Sequence, residues 1–89
     1  MFNRKQAPMR LQGEHISVSY AHQDLAGYVL SGSFTDVDFR GCDLRGARLI
    51  GAFTGVDFRH ADLRDAVIDG HFCGTHFEGA LMPDGSRYK

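Results

Sequence analysis

The 89-residue sequence is poor in cysteine, with only Cys42 and Cys73, and it has no long apolar run. Two cysteines are too few for a disulfide framework, and their spacing does not match a zinc site. No apolar stretch approaches the roughly 20 residues that a transmembrane helix requires. The first residues, MFNRKQAP, also lack the apolar segment of a secretory signal. We therefore expect a cytoplasmic protein that does not enter a membrane.

Neither sign of charge dominates, since ten Lys and Arg residues stand against eleven Asp and Glu residues, a net charge of −1. Residues 1–13 contain Arg4, Lys5 and Arg10 without an acid, which leaves seven basic and eleven acidic groups in the remainder. A basic segment can contact nucleic acid or an anionic membrane, but three charges are more often a solvated tail or the cover of a sheet edge. The length allows a single domain.

The sequence is rich in internal repetition. From Glu14 onward it divides into four lines of nineteen residues, each with one block of four and three blocks of five. The lines are EHIS-VSYAH-QDLAG-YVLSG, SFTD-VDFRG-CDLRG-ARLIG, AFTG-VDFRH-ADLRD-AVIDG and HFCG-THFEG-ALMPD-GSRYK. One large apolar residue per five-residue block fits neither the helical period of 3.6 nor the period of 2 of a long strand. These side chains meet only if the chain turns a corner at every block, so we predict a stack of coils.

Blocks such as VDFRG, CDLRG, ARLIG and ADLRD resemble pentapeptide repeats, well over residues 23–84 and weakly over 14–22. The resemblance implies an all-β fold, a right-handed quadrilateral β-helix in which four blocks form the four sides of one coil. Residues 14–89 would then make about four coils, and residues 1–13 an N-terminal cap or tail. The usual coil of the family has twenty residues, whereas one side here is a residue short, at 14–17, 33–36, 52–55 and 71–74.

In such a coil the central Leu or Phe and the small residue two positions before it point inward, because side chains of extended backbone alternate. Glycines recur at the corners, where a positive φ or tight turning is needed. The expected interior ladders are Tyr20, Phe39, Phe58 and Phe77; Leu25, Leu44, Leu63 and Met82; and Leu30, Leu49 and Ile68. The sequence leaves open how Phe34, Phe53 and Phe72 are oriented on the short side.

Residues suited to metal binding or catalysis do not converge in this arrangement. His22 and His60 share a column but are separated by Gly41, so they stand roughly 10 Å apart. His71 and His76 lie on adjacent sides of one coil. No serine or cysteine lies beside a histidine and an acid, and no glycine loop precedes a helix to hold phosphate. We therefore predict a protein that is not an enzyme and has no catalytic residues, metal site or cofactor.

Asp24, Asp43 and Asp62 form a column of like charges about 4.8 Å apart, and such a column requires compensation. Arginines two residues after an aspartate predict alternating charge ladders at the surface; they are Arg40, Arg45, Arg59 and Arg64. Some pentapeptide-repeat proteins resemble duplex DNA in shape and charge and bind type II topoisomerases. With a charge of −4 over residues 14–89 and interleaved arginines, this chain is a poor mimic. We keep DNA mimicry as an alternative function and do not expect direct binding of nucleic acid.

The fourth side of each coil differs from the others at its outward positions. Val29, Ile50 and Val67 provide one branched apolar side chain per coil, next to Arg48. A flat face with such residues is the best candidate for docking another protein. We therefore predict a non-enzymatic interaction or adaptor module that binds an unidentified protein partner through Val29, Arg48, Ile50 and Val67. A structural role in a larger assembly and a homodimer through an open end of the coil are the remaining alternatives.

Overall fold

The computed structural model describes residues 9–89, and within this range the regular structure consists of short strands without any helix. The strands are β1 (Arg10–Leu11), β2 (Glu14–Ile16), β3 (Val29–Leu30), β4 (Ser33–Thr35), β5 (Arg48–Leu49), β6 (Ala52–Thr54), β7 (Val67–Ile68) and β8 (His71–Cys73). They form two parallel four-stranded sheets. Sheet A has the order β1-β3-β5-β7, and sheet B has the order β2-β4-β6-β8.

Each strand pairs with the strand one repeat further along the chain. Leu30 is paired with Leu49 in sheet A, and Phe34 with Phe53 in sheet B. Isolated parallel bridges at the same spacing build the other two sides; they join Ser19, Asp38, Asp57 and His76 on one side and Asp24, Asp43, Asp62 and Leu81 on the other. The protein is therefore a four-sided β-solenoid with a circuit of nineteen residues, as the repeat predicted.

The paired structure begins before the boundary at residue 14 that the repeat suggested. Arg10 pairs with Val29 and Leu11 with Leu30, so β1 is the first strand of sheet A. The segment MRLQG at 9–13 aligns with ARLIG at 47–51, which explains why it adopts the same structure. Residues 1–8, the rest of the expected N-terminal cap, lie outside the described residues.

The interior contains the central residue of each block and the small residue two positions earlier. Phe39, Leu44 and Leu49 have no solvent exposure, and Cys42 and Ala47 are at most 1% exposed. The short side also points its aromatic residues inward, since Phe34 and Phe53 are fully buried. The missing residue therefore does not reverse the alternation of side chains on that side.

Two aromatic columns run along the interior. In one, the ring centroids of Phe34 and Phe53 are 4.9 Å apart with an interplanar angle of 5°. In the other, Phe39 and Phe58 are 5.4 Å apart at 8°. Within one coil the rings of the two columns are tilted by 55°, with Phe34 and Phe39 at 5.9 Å. Stacked and tilted pairs of this kind contribute about 0.5–1.5 kcal/mol each beyond the area that they bury.

The first coil replaces these phenyl rings by two polar aromatic residues. His15 stacks on Phe34 with ring centroids 4.7 Å apart, and Tyr20 stacks on Phe39 at 5.4 Å. Nδ1 of His15 lies 2.9 Å from the Tyr20 hydroxyl, and Nε2 lies 2.9 Å from the Gln12 carbonyl oxygen. A carbonyl only accepts, so Nε2 donates to it, and in the neutral ring the Tyr20 hydroxyl donates to Nδ1. These hydrogen bonds satisfy both ring nitrogens of His15 and the Tyr20 hydroxyl at the end of the two aromatic columns.

The corner between sheets A and B, which precedes the short side, consists of glycine in every coil. Gly13, Gly32, Gly51 and Gly70 occupy this corner in successive coils. A β-carbon on Gly51 would lie 2.5 Å from the carbonyl oxygen of Gly32, and one on Gly70 would overlap the carbonyl oxygen of Gly51. Neither Gly51 nor Gly70 has a positive φ. Glycine is therefore required at Gly51 and Gly70 because the backbones of successive coils approach each other closely, whereas Gly13 and Gly32 of the same corner also have a positive φ.

The segment after Pro83 folds back on the last coil. Arg87 forms an antiparallel bridge with Leu81. The Tyr88 N–H donates to the Ala80 carbonyl, and the Gly79 N–H donates to the Tyr88 carbonyl, at 2.8 and 2.9 Å. The Tyr88 ring contacts Phe77 with centroids 5.7 Å apart. These contacts cover one side of the last coil and the end of one aromatic column.

Candidate partner-binding face

The outer surface of sheet A carries two columns of side chains. The first column follows the strand register and contains Arg10, Val29, Arg48 and Val67. The second column lies two residues further along each strand and contains Gln12, Ser31, Ile50 and Asp69. All four residues predicted for partner binding therefore lie on one face, which we call face A.

The apolar residues of face A are accessible to solvent to different degrees. Val67 is 48% exposed and Ile50 is 41% exposed. Val29 is half-buried, and its register neighbours on the two sides are Arg10 and Arg48. The aliphatic stem of an arginine commonly covers apolar surface while its head stays in water. Face A thus combines accessible branched side chains with guanidinium groups at regular intervals.

Arg10 and Arg48 have no carboxylate within 4.0 Å anywhere in residues 9–89, in contrast to four other arginines. On the two sides outside sheets A and B, each arginine pairs with the aspartate two residues before it; the pairs are Asp38–Arg40, Asp43–Arg45, Asp57–Arg59 and Asp62–Arg64. The guanidinium groups of face A are therefore available to an anionic partner, whereas those of the other sides are already engaged.

The Asp43–Arg45 pair shows the geometry of these ion pairs. Nε of Arg45 donates to Oδ1 of Asp43 at 2.9 Å, and Nη2 lies 2.8 Å from Oδ2. The backbone N–H of Arg45 also donates to Oδ1, at 3.2 Å. The hydrogen bonds from the arginine side chain lower the pKa of Asp43, and Arg64 acts in the same way on Asp62. Charge compensation thus occurs mainly within each block, with a longer contact of 3.9 Å from Arg40 to Asp57 between coils.

His22 and His60 occupy equivalent positions two coils apart. His22 and His60 adopt positive φ at equivalent corners, and their rings lie against Gly41 and Gly79 of the following coil, where a β-carbon would overlap them. Across residues 9–89, no group of three or more His, Cys, Asp or Glu side chains is placed to hold a metal ion.

The two cysteines differ in environment. Cys42 is buried, its thiol donates to the Tyr20 carbonyl at 2.9 Å, and burial raises its pKa. Cys73 is exposed on the outer surface of sheet B. The part of the chain that the structure describes has neither a pocket nor a helix long and apolar enough to cross a membrane.

The repeat analysis missed two residues of face A, Arg10 and Gln12, of which Arg10 carries a charge. Dividing the sequence from Glu14 placed Arg10 in a cap or tail. MRLQG and ARLIG nevertheless share arginine, leucine and glycine at equivalent positions, and this match indicates that Arg10 belongs to the repeat. The pairing of β1 with β3 brings Arg10 into the same column as Arg48. The face therefore has two regularly spaced arginines where the sequence analysis identified one.

Five-residue blocks that form the sides of a four-sided solenoid define this protein as a repeat protein of the β-solenoid class. The family model for pentapeptide repeats matches residues 33–79 in eight copies. The match spans more than half of the chain, and the protein belongs to the pentapeptide-repeat family.

Two solved structures are similar to this chain. HetL, a pentapeptide repeat protein involved in heterocyst differentiation regulation in the cyanobacterium Nostoc sp. strain PCC 7120, is 27% identical with a TM-score of 0.74. The match covers 79% of this chain and 34% of HetL, so the chain spans about a third of that protein. AT2G44920, a pentapeptide repeat protein from the Arabidopsis thaliana thylakoid lumen, is 20% identical with a TM-score of 0.61, covering 88% and 70% of the two chains. No curated protein matches the sequence.

Proposed function

We propose that this protein is a non-enzymatic interaction module that binds another protein through face A. The observation that carries the proposal is the contrast between face A and the neighbouring Asp–Arg sides. Face A has accessible Ile50 and Val67 beside arginines without a carboxylate partner in residues 9–89, while the arginines of the other sides are paired. Accessible apolar residues in a rigid, regular surface are suited to recognition of a protein partner.

The family context supports a role in binding rather than catalysis. Pentapeptide repeat proteins are generally structural or interaction modules, and HetL takes part in regulation. The rigid backbone also favours binding, because a preorganised surface loses little conformational freedom when a partner docks. A module of this kind presents its side chains at fixed intervals and needs no loop rearrangement.

A comparison of two exposed positions tests face A. Ile50→Asp places a charge among the apolar residues of face A, and Thr54→Asp places the same charge on the outer surface of sheet B. Each protein serves as bait in native-host extract, and captured proteins are quantified by mass spectrometry. We expect Ile50→Asp to reduce capture of the specific partner about tenfold or more, since a buried unpaired charge at an interface is costly. Equal capture by Ile50→Asp and the wild-type protein would reject face A.

The alternative functions have different signatures. A DNA mimic that binds a type II topoisomerase needs a continuous acidic surface, and the pairing of aspartates with arginines opposes it. We therefore expect no effect on the supercoiling activity of purified gyrase, and dose-dependent inhibition or protection would favour the mimic instead. A structural component of a larger assembly would co-purify with that assembly at fixed stoichiometry under both bait variants.

A further inference from the structure

The first column of face A alternates between arginine and valine. Arg10, Val29, Arg48 and Val67 follow one another in consecutive strands of sheet A. Paired strands are about 4.8 Å apart, so the two arginines are separated by about 9.6 Å along the solenoid axis, as are the two valines. A partner that fits this column therefore needs an anionic group and an apolar group in alternation, at intervals close to 5 Å.

An α-helix that lies parallel to the solenoid axis meets this requirement. Its turns repeat about every 5.4 Å, and residues seven positions apart lie on the same face about 10.5 Å apart. Carboxylates seven residues apart thus match the spacing of Arg10 and Arg48, with an apolar residue on the turn between them to contact Val29. The mismatch of about 0.6 Å per turn accumulates to roughly 2 Å over three steps, which long side chains can absorb.

An extended strand fits the column less well. Alternate residues of a strand lie on one face about 6.8 Å apart, which matches neither 4.8 Å nor 9.6 Å. The apolar positions also favour a protein over a nucleic acid backbone, since phosphates form no favourable contact with Val67 or Ile50. We infer that the partner presents an acidic amphipathic helix to face A, aligned with the solenoid axis. This inference rests on the proposed function and specifies the chemistry of the partner.

Synthetic helical peptides test the inference without knowledge of the natural partner. The probe has two glutamates seven residues apart, each followed four residues later by a leucine, in an Ala and Gln background. One control peptide has lysines in place of the glutamates, and another has the probe's residues in scrambled order. Titration into ¹⁵N-labelled protein, followed by amide chemical shifts, maps the contact and detects weak binding. We expect shifts centred on residues 29–31, 48–50 and 67–69 with the acidic peptide, and affinity about tenfold lower for both controls.

A charge exchange identifies the role of Arg48. Arg48→Glu should weaken the acidic peptide about tenfold and strengthen the lysine peptide, because the sign of the contact is reversed. The matched control, Ile16→Glu/Thr54→Glu, changes the net charge by the same two units at exposed positions of sheet B. The control should leave the affinity for the acidic peptide within about threefold of the wild type, since exposed charges at a distance are screened. Circular dichroism checks that each variant retains the strand signal.

The outcomes separate this inference from the proposed function. Equal binding of all three peptides, shifts on the Asp–Arg sides, or no shift at millimolar peptide would overturn the helix inference. The same holds if a DNA duplex or anionic phosphatidylserine vesicles perturb face A and the acidic peptide does not. If the peptide fails while Ile50→Asp still abolishes capture of a protein, face A remains a docking face for a different partner. If Ile50→Asp has no effect on capture, the proposed function fails, whatever the peptide result.

Discussion

Replacing Gly51 by alanine tests whether crowding between successive coils is the reason for glycine at the corner between sheets A and B. The φ of Gly51 is one that alanine adopts, so the smaller entropy of the unfolded chain alone would stabilise the variant by about 0.4–1 kcal/mol. The new β-carbon would instead lie 2.5 Å from the Gly32 carbonyl oxygen, which is backbone and cannot rotate away. Overpacking of this kind costs about 1–3 kcal/mol.

Relief of that contact requires neighbouring coils to separate, which weakens the hydrogen bond from the Ala52 N–H to the Gly32 carbonyl, 2.9 Å long. This bond contributes about 1 kcal/mol. Combining the terms, we expect Gly51→Ala to lower the free energy of unfolding by about 2 kcal/mol. Urea unfolding monitored by circular dichroism measures the change.

Gly46→Ala is the control for Gly51→Ala. Gly46 has a φ of +68° and no atom near its hypothetical β-carbon, so it isolates conformational strain from crowding. We expect a loss of about 1–2 kcal/mol from the left-handed backbone, and Gly46→Asn should recover part of it because asparagine tolerates this region. If Gly51→Ala is as stable as the wild type or more stable, close approach of the backbones is not the reason for glycine at this corner.

Three further measurements address the interior and the surface. Tyr20→Phe removes the hydroxyl that donates to His15, so it should lower the free energy of unfolding by about 1 kcal/mol. In a His15→Phe background, the same substitution should lower the free energy of unfolding by less than half of that amount. The pKa of Asp43 is lowered in the folded state, so its contribution to stability is complete above the ordinary pKa of about 3.9 and is lost as the pH falls through the lower folded-state value. Urea midpoints should therefore fall below about pH 4. If the ion pair is the cause, the fall should be smaller in Arg45→Ala. A thiol reagent such as dithiobisnitrobenzoate should modify Cys73 rapidly and Cys42 only after unfolding, and equal rates would contradict the burial of Cys42.

The repeat predicted most of the interior because its period matches the circuit of the chain. Phe39 and Phe58 occupy equivalent positions nineteen residues apart, and they are stacked in the structure. The orientation of Phe34 could not be derived, because a shortened side changes the corner geometry and the sequence does not show which residue is omitted. In the structure Phe34 is fully buried and stacks on Phe53, so the short side keeps the inward orientation of the other sides. The fold could thus be predicted from the periodicity of the sequence, whereas the orientation of the aromatic residues on the short side could be seen only in the structure.

The candidate face was only partly predictable. Alternation along a strand was enough to place Val29, Ile50 and Val67 on the outside of one side. The spacing two residues after an aspartate separated the arginines of the other sides from Arg48, but it did not show that each of them pairs within its own block, because ion pairing depends on side-chain geometry. Arg10 was missed because it precedes the first complete line of the repeat, and the pairing of β1 with β3 makes its place evident.

The ion pairs of the Asp–Arg sides have a consequence for how this protein can change in length. Four aspartates of these sides, Asp38, Asp43, Asp57 and Asp62, are each paired with an arginine two residues later, so both partners are encoded in the same short block. Duplication or deletion of a whole circuit, such as residues 33–51, therefore adds or removes the Asp38–Arg40 and Asp43–Arg45 pairs complete and separates neither partner from the other. Evolution can extend or trim such a column by tandem duplication with little electrostatic penalty.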